Sequence, residues 1–582
     1  MRTLSLEQLP VLVIDCQSTG VNPERGHLLE LGWATVVADA CRTNDDISVH
    51  AQRVRLPEGV DIPRPVQRIT GITPDILSAA PTTGRVWKEL IREAAQMNSG
   101  SGETACPAVI HYARFETPFL RCLHEDYDPE EPFPLDIICT HEIALRLFPE
   151  LPRRGLRALA GFIGRPIGEV KRSADHVRAT VWLWVHFVRE LKEQYDITRL
   201  EDLRRWLSKP PDRSRDGRSY PMPETARQSV PSEPGVYRML RRNGDVLYVG
   251  KARSLRTRVQ SYFRKKARHP EHILEMLTQA EDISTRVTGS ALQAALLEAD
   301  EIKRRQPPYN RALRDGNRSL CYMVKDLSDV SSDPVLPFTV GPFPSDRIPT
   351  ALMDIRMAIE GHTPAGRSDS VMGLSPEFAP DPEVLSEGIE LFRATHTEDL
   401  NTGSLHQALM RIGRRFWEEQ QCVLDESDDD ASLSCDDAGD EDEEEVEEWE
   451  WAPERVAGMM EGILVHAGQL IRRARWLCLL QEATIAWEAE RVPDLRHALI
   501  FEKGAPAEYS VLTDGQSVPI PSGFQKSPAS RRSHFDLATY DRLRVLTTEL
   551  RRLVKEDRWV AIRTGPSVTL GRKQIARLLR WI

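Results

Sequence analysis

Six side chains between Tyr237 and Asn310 combine the chemical groups that phosphodiester hydrolysis needs. Without a protein nucleophile, that reaction requires an activated water, a cation opposite the leaving group and positive charge on the transition state. The stretch offers phenols, an amine, a guanidinium, a carboxylate and an amide, in the order Tyr237, Tyr248, Lys251, Arg258, Glu298 and Asn310. Alone, a strand tyrosine is usually core and a helix glutamate is usually solvated. Together they provide a candidate for each requirement.

Positive charge is concentrated around these residues, although the chain has a net charge of -11. Residues 231–318 contain 18 Lys or Arg against 10 Asp or Glu. Residues 425–450 contain 16 Asp or Glu and no Lys or Arg, so the rest of the chain carries a net charge of +5. A basic region is what binding to a phosphate backbone needs, without any preference for sequence. The acidic total therefore does not exclude a nucleic-acid partner.

The surrounding pattern predicts a small α/β domain at residues 231–318. Apolar runs at Val236–Leu240 and Val246–Val249 flank Asn243-Gly244, which predicts a hairpin with positive φ at both central residues. A helix follows with Leu255, Val259, Tyr262 and Phe263 at helical spacing, then a second helix over residues 272–279. After a short strand at 283–287, Ser290 should cap a helix through Lys303.

These motifs resemble one nuclease family. Gly235-Val-Tyr237 and Tyr248-Val-Gly250-Lys251, followed by Arg258, Glu298 and Asn310, are similar to the GIY-YIG nuclease domain. The flanking sequences PGVYRM, LYVGKARSLRTRVQSYF and ALLEADEIKRRQPPYN are similar to UvrC and Cho excinucleases. The resemblance implies a metal-dependent DNA endonuclease (a hydrolase of phosphodiester bonds) in nucleotide excision-type DNA repair.

The same resemblance implies a role for each residue. Glu298 would be the sole protein carboxylate on a Mg²⁺ or Mn²⁺ ion, which suits a hard cation that keeps several waters. Tyr237, with Tyr248 or Lys251 beside it, would orient or deprotonate the attacking water. Arg258 would offer its fork of donors to the phosphate oxygens.

Asn310 would fix the geometry of that site, and neighbouring cations would line the DNA. Any one of those cations has an equally ordinary explanation as a solvated charge. The residues expected to bind DNA are Arg253, Arg256, Arg264, Lys265 and Lys266.

A chain of 582 residues is too long for one core, and about 100–200 residues per domain suggests three or four domains. Residues 8–195 read as an α/β unit with strands at Leu12–Ile14, Leu29–Val37 and Val109–His111. Amphipathic helices should follow at Arg153–Ile163 and Ala174–Leu191. Residues 196–230 should be a linker, because the segment rich in Pro, Ser and Arg from Lys209 cannot bury a core.

The N-terminal unit resembles a DnaQ-like 3′-5′ exonuclease, which has an RNase H-like fold. The resemblance rests on Val13-Ile-Asp15-Cys-Gln17 with Leu28 to Gly32, on His111 to Leu120, and on Cys139 to Leu156. That family uses two metal ions held by four acidic residues, with a histidine as general base. The candidate metal ligands here are Asp15 and Glu116.

The other acidic positions differ from the family's pattern, so we expect a degenerate exonuclease that positions DNA or a partner. Gln17 stands where a Glu is usual and cannot bridge cations as an anion. The alignment puts Lys171 at the histidine and His176 at the last Asp. Asp175 is adjacent, but a helix turns about 100° per residue, so its carboxylate should point elsewhere.

The segment Leu336 to Ser345 resembles the one that follows the nuclease domain in UvrC and Cho. Residues 319–420 should therefore be a UvrC/Cho-like extension. Residues 421–452 should be an acidic disordered segment because of their charge, and residues 453–582 should be a C-terminal α/β module. The acidic segment could mimic DNA, bind a basic partner or be a solvated linker. A long basic helix from Leu537, with Arg542, Arg544, Arg551, Arg552 and Lys555, could lie on DNA or be an ordinary surface helix.

Cysteines and apolar runs bound the cofactors and the location. The 9 cysteines are scattered, and the stretch that would carry the UvrC cysteine cluster has none, so we expect free thiols and no iron-sulfur cluster. No run of about 18 apolar residues or signal peptide is evident, so the expected location is the cytoplasm.

Three hypotheses remain open. The chain could be an endonuclease that makes a single incision in DNA, with a UvrB-like loader as its partner. It could be a 3′-5′ exonuclease that uses the GIY-YIG unit for positioning. It could also be a non-catalytic DNA-binding scaffold.

Overall fold

The computed structural model describes residues 4–41, 47–98, 105–168, 171–211, 219–264, 268–314, 318–362, 372, 380–425, 451–490, 492, 495–513, 515–521 and 535–580, with side chains to residue 419 in the helix that ends at 425. The chain forms two compact units. One comprises Met1–Val287 with Pro307–Arg311, and the other comprises Thr288–Gln306 with Ala312–Ile582. No helix in the described ranges is both long enough and apolar enough to span a membrane.

The first unit contains eight described strands and twelve described helices. The strands are β1 (Pro10–Ser18), β2 (Leu28–Val37), β3 (His50–Arg53), β4 (Cys106–Ile110), β5 (Leu135–Cys139), β6 (Gly235–Leu240), β7 (Val246–Ala252) and β8 (Asp282–Val287). The helices are α1 (Ala38–Cys41), α2 (Arg64–Thr70), α3 (Pro74–Leu77), α4 (Thr83–Asn98), α5 (Ala113–Tyr127), α6 (Thr140–Leu147), α7 (Leu156–Phe162), α8 (Ser173–Tyr195), α9 (Leu200–Leu207), α10 (Glu224–Gln228), α11 (Leu255–Tyr262) and α12 (Glu271–Gln279).

The N-terminal part is a mixed five-stranded sheet in the order β3-β2-β1-β4-β5. Strand β1 pairs antiparallel with β2 and parallel with β4, and β4 pairs parallel with β5. Both faces are covered, since β1 is buried almost throughout and helix α8 packs across β1 and β2. The expected RNase H-like α/β fold is confirmed.

The central part is an antiparallel sheet in the order β7-β6-β8. The predicted hairpin is confirmed, but its turn is longer than expected. Arg241 N–H donates to the Asp245 carbonyl at 3.0 Å, and Gly244 has a φ of 86°. Asn243 instead uses its side-chain oxygen to accept from the Asp245 N–H at 3.1 Å, so it needs no positive φ.

The predicted linker is partly folded. Helix α9 buries Leu200 and Leu203 in the N-terminal core, while Met222 and Val230 join the core of the central domain. The composition of the segment predicted a linker that buries no core, because the segment as a whole is polar. A few apolar anchors suffice to dock such a segment.

The N-terminal and central domains also contact each other within the first unit. Thr278 on α12 accepts a hydrogen bond from the Arg153 N–H at 3.1 Å, and Arg153 pairs with Glu271. Arg157 on α7 lies 3.4 Å from Glu275 and 4.7 Å from the centroid of the Tyr309 ring. These contacts join the exonuclease-like fold to the central sheet.

The second unit begins with α13 (Ala291–Arg305), capped as predicted by Ser290, whose hydroxyl accepts from Gln293 N–H at 3.2 Å. Its further elements are β9 (Cys321–Val324), β10 (Val330–Ser331), β11 (Phe338–Phe343), α14 (Arg347–Ile359), α15 (Pro382–Thr395), α16 (Thr397–Leu400), α17 (Leu405–Asp425), α18 (Pro453–Leu480), β12 (Thr484–Glu488), β13 (Arg496–Glu502), β14 (Ala505–Leu512), α19 (Leu537–Lys555), β15 (Val560–Arg563), β16 (Thr569–Gly571) and α20 (Arg572–Leu579).

Helix α18 joins the two cores of this unit. Its first part packs with α15 and α17, and its last turns pack on the antiparallel sheet β14-β13-β12-β15-β16. The apolar run from Leu477 to Trp487 has the pattern of a strand, but its first part is helical, because the helix continues to Leu480 and the strand starts at Thr484. Apolar residues that pack on both sides look alike in a buried strand and a buried helix.

The predicted basic helix at the C-terminus is α19, and it is largely engaged within the unit. Arg542 donates to Asp300 at 2.7 Å, and Arg552 pairs with Glu549, Glu556 and Glu490. Its apolar face is fully buried. Arg542 and Arg552, two of the five cations that were candidates for DNA binding, therefore form ion pairs within the unit.

Candidate functional site

Tyr237 is the centre of a buried aromatic cluster in the central domain. Its side chain is fully buried on β6, and its hydroxyl lies 2.8 Å from the hydroxyl of Tyr262 on α11. The guanidinium of Arg258 lies 5.3 Å from the centroid of the Tyr262 ring and hydrogen-bonds Tyr237. The Tyr248 ring lies 6.1 Å from that of Tyr237. The predicted residues Tyr237, Tyr248 and Arg258 are thus brought together.

Glycine is required where these rings meet. A Cβ on Gly250 would lie 2.5 Å from the Tyr237 hydroxyl and 2.8 Å from a ring carbon of Tyr248. A Cβ on Gly235 would lie 2.3 Å from the Arg286 carbonyl oxygen on β8. The glycines of both motifs therefore allow the sheet and the tyrosines to approach closely.

The pKa of Tyr237 decides which of its predicted roles is open. Burial raises that pKa well above its usual value, and Tyr262 and Tyr248 raise it further. The phenol is therefore protonated at neutral pH and can donate a hydrogen bond. This supports a role in orienting a water rather than in acting as a phenolate base.

Tyr262 is a member of the cluster that the sequence did not mark as functional. Its spacing on α11 predicted a core residue, and it is buried. The spacing could have indicated its place in the cluster. Tyr262 follows Arg258 by four residues, and residues at that spacing are neighbours on one face of a helix.

Asn310 ties the chain after α13 to the edge of the sheet. Its side-chain oxygen accepts from the Val249 N–H at 2.9 Å, and its amide donates to the Val249 carbonyl at 2.9 Å. The side chain is buried. Its hydrogen-bonding groups thus reproduce the pairing of a strand, and its role in fixing the geometry of the site stays a prediction.

Glu298 is half-buried on α13, in the second unit, so its position relative to the tyrosines remains a prediction. Its helix is held by the C-terminal part of that unit. Leu292 and Leu296 lie in the same core as α19. Lys303 lies 2.8 Å from the buried carboxylate of Asp541.

The cations expected to bind DNA are mostly exposed. Arg253, Arg256 and Arg264 are exposed, and Lys251 is half-buried. Arg256 donates to the Val230 carbonyl at 2.9 Å, so part of its fork is used within the domain. Lys265 and Lys266 lie outside the described residues.

Asp15, Glu116 and His176 converge at the centre of the N-terminal sheet. Asp15 on β1 is buried, and its carboxylate oxygens lie 3.1 Å from His176 Nδ1 and 3.2 Å from the amide nitrogen of Gln17. Glu116 on α5 is also buried and hydrogen-bonds Asp15. The alignment of His176 with a metal-binding acid agrees with this position.

The charges at this site differ from those that two cations need. Burial, followed by the charge of Asp15, raises the pKa of Glu116 well above its usual value, which disfavours its charged form. Asp175 is exposed and pairs with Arg178 at 3.2 Å, and Lys171 is exposed too. Within the described ranges, no three His, Cys, Asp or Glu side chains are arranged to hold a metal ion. The donor set does not fit a two-metal centre.

His176 is held in place by the start of its helix. Glu30 on β2 accepts from the Ser173 N–H at 2.9 Å and from Arg172 Nε at 3.1 Å. A Cβ on Gly32 would lie 2.8 Å from that of Ser173, so α8 starts directly on the strand. Glu30 was not among the predicted site residues.

The chain carries an exonuclease domain followed by a UvrC-like GIY-YIG domain. Residues 12–166 match the family model described as Exonuclease, and residues 233–311 match the UvrC-like GIY-YIG domain. Both resemblances expected from the motifs are thereby confirmed.

The curated relatives match through the central domain. The chain is 49% identical over 94 residues to UvrABC system protein C of Psychrobacter sp. strain PRwf-1, which is 16% of this chain and 15% of that protein. It is 52% identical over 88 residues to the same-named protein of Sphingopyxis alaskensis, covering 15% of this chain and 14% of that one. The match thus spans about a seventh of these relatives.

Solved structures of both kinds are similar to this chain. The GIY-YIG N-terminal endonuclease domain of UvrC from Thermotoga maritima, bound to its catalytic magnesium, is 34% identical, with 15% of this chain and 99% of that domain covered and a TM-score of 0.14. The nuclease domain of 3′hExo, a DEDDh family member, is 18% identical, with 33% and 95% covered and a TM-score of 0.27.

Proposed function

We propose that this protein is a divalent-metal-dependent, structure-specific DNA endonuclease that makes one incision in nucleotide excision-type repair. The observation that carries the proposal is the cluster of Tyr237, Tyr262 and Arg258 around Gly250, within the part that matches a UvrC-like GIY-YIG domain. A protonated phenol beside a guanidinium suits an attacking water and a phosphate.

Each residue has a distinct task in this proposal. Tyr237 donates its hydroxyl hydrogen to keep a water in line, and Tyr248 or Lys251 receives the proton that this water loses. Arg258 stabilises the phosphate oxygens as they gain charge. Glu298 supplies one hard oxygen ligand, which fits a Mg²⁺ or Mn²⁺ ion that neutralises the leaving oxygen when bound.

The exonuclease domain is proposed to act as a scaffold for DNA or a partner. The pairing of Asp15 with His176 and the raised pKa of Glu116 support this, because both reduce the negative charge available to cations. DNA is the proposed substrate, with a UvrB-like loader as partner, and the cytoplasm is the proposed location. We propose that the chain folds into four domains, at residues 8–195, 231–318, 319–420 and 453–582.

Cleavage of defined DNA tests this function. Purified full-length protein with Mg²⁺ should nick end-labelled duplexes that carry a lesion or a bubble. Glu298→Gln keeps the shape of the side chain and removes its charge, so it should abolish nicking. Asp15→Asn makes the same change in the exonuclease domain and should leave nicking unaltered.

The products separate the alternatives. A ladder from the 3′ end that Asp15→Asn abolishes would support the exonuclease instead. Binding of DNA without cleavage, with Mg²⁺ or with Mn²⁺, would support the non-catalytic scaffold. Dependence on a loader is measured by adding a UvrB protein to the same reaction.

A further inference from the structure

We propose that a basic cavity in the second unit binds the phosphate backbone of a single DNA strand. The cavity has a volume of about 910 Å³ and is lined by α17, α18, β11 and Lys325, the residue that follows β9. Its cationic residues are Lys325, Arg411, Arg414, Arg472 and Arg475, with His406 beside them. None of its described lining residues is Asp or Glu. This surface is distinct from the basic residues of the GIY-YIG domain.

The arginines form two facing rows. Arg411 and Arg414 are three residues apart on α17, as are Arg472 and Arg475 on α18, so each pair shares a face of its helix. Gly413 lets the helices approach, since a Cβ there would lie 2.5 Å from the Leu464 carbonyl oxygen. The close approach puts both rows on one groove.

Two carboxylates lie beside the arginines of the cavity. Arg414 donates to Glu418 at 2.9 Å. Arg411 lies 3.8 Å from Asp399 and donates to the neutral carbonyl oxygens of Asp399 and Thr402. Arg472 is half-buried, and burial and the charges of Arg414 and Arg475 destabilise its charged form, at a cost that Glu418 reduces. A bound polyanion would offset that cost.

The remaining lining favours phosphates over bases. No described lining residue is Phe, Tyr or Trp, so the cavity lacks the large aromatic side chains on which successive bases stack. Four of its five cations are arginines, whose forked donors match phosphate oxygens. His406 Nδ1 is buried without a hydrogen-bond partner in the described part of the chain, and Thr339 and Gln407 add neutral donors. The binding should therefore be independent of sequence.

The inference rests on the proposed function for the choice of DNA, but its test needs no cleavage. Binding of a labelled oligo-dT of about twenty nucleotides to the full-length protein is measured by fluorescence anisotropy in EDTA over a range of salt. Lys325→Gln with Arg475→Gln removes two exposed cations from the cavity. Lys573→Gln with Arg577→Gln removes two exposed cations from α20 and is the control of equal charge.

We expect the cavity variant to bind about tenfold more weakly, with the slope of log K against log salt reduced by about 1.4, because each phosphate contact on a single strand contributes about 0.7. The control should bind like the unaltered protein. Equal binding by the two variants would overturn the proposal. Two further outcomes would also overturn it. If the cavity variant lost binding to polyglutamate but not to oligo-dT, the ligand would be an acidic protein. If dTMP displaced the labelled oligo-dT as well as unlabelled oligo-dT does, the ligand would be a small phosphate compound.

The nuclease and the cavity can fail separately. If Glu298→Gln still nicks DNA while the cavity variant binds weakly, the proposed function fails and the cavity stands. If nicking depends on Glu298 while the cavity variant binds normally, the cavity fails alone.

Discussion

His176 Nδ1 lies 3.1 Å from Asp15 Oδ1, so a nitrogen ligand or cation occupies the place where the exonuclease resemblance expects a carboxylate. Gln17 donates to the other oxygen of the same carboxylate at 3.2 Å. Asp15 is thus hydrogen-bonded by its own protein on both oxygens. A cation would have to displace these partners before it could bind.

Restoring acids at this site should restore metal binding. We expect Gln17→Glu with His176→Asp to bind Mn²⁺ at least ten times more tightly than the unaltered protein, because two carboxylates replace groups that carry no negative charge. Calorimetric titration with Mn²⁺, in a Glu298→Gln background that removes the proposed second site, measures this. Equal affinity in both proteins would contradict the role given to His176.

Removing the Tyr237 hydroxyl should slow cleavage without unfolding the protein. We expect Tyr237→Phe to lower kcat about 100-fold with little change in KM, because the phenol orients the water. The free energy of unfolding should fall by about 2–4 kcal/mol, since the hydrogen bonds to Tyr262 and to the charged Arg258 are lost. A variant with normal kcat would exclude this role.

A side chain at Gly250 should disrupt the cluster. Gly250→Ala would bring a methyl group to 2.5 Å from the Tyr237 hydroxyl, so we expect about 1–3 kcal/mol of destabilisation and loss of nicking. Gly155→Ala is the matched control, because nothing lies within 4 Å of a Cβ there and its φ is −67°. Urea unfolding of both variants gives the comparison.

Asp541 should stabilise the helix that carries Glu298. Although burial opposes ionisation, Arg318 and Lys303 lower the pKa of Asp541 below its usual value. Asp541→Asn leaves those cations without their carboxylate, so we expect a loss of about 2–4 kcal/mol in the free energy of unfolding of the second unit. Asp536→Asn is the control. Asp536 caps the start of α19, the helix that contains Asp541, and Asn also serves as an N-cap side chain.

The histidine next to the exonuclease site should make stability depend on pH. Burial, followed by His141 and His176, lowers the pKa of His111 from 6.5 to about 3. Between these values the unfolded chain binds a proton that the folded chain does not, so this stability is complete above about pH 6.5 and declines as the pH falls toward 3. His111→Gln should lose less stability between about pH 7 and pH 5 in urea unfolding. Equal losses would contradict the assignment.

Local pattern predicted most elements because each has a strong signal of its own. The Ser290 cap, the hairpin at Asn243-Gly244 and the amphipathic helix α8 follow from neighbouring residues. The errors arose where burial is decided by distant residues. The run from Leu477 to Leu480 is helical because it packs on α19 and the C-terminal sheet, which local spacing does not encode.

The sequence by itself determined the chemistry that is available: the order of Tyr237, Arg258 and Glu298, and the replacement of acids by Gln17 and His176. Motif residues lie close together in the chain, so their identity and spacing are readable. Only the tertiary structure decided that Tyr262 joins Tyr237, that His176 pairs with Asp15, and that arginines from α17 and α18 face one cavity. Such contacts depend on how helices and strands pack, and packing is set by the whole core rather than by local spacing.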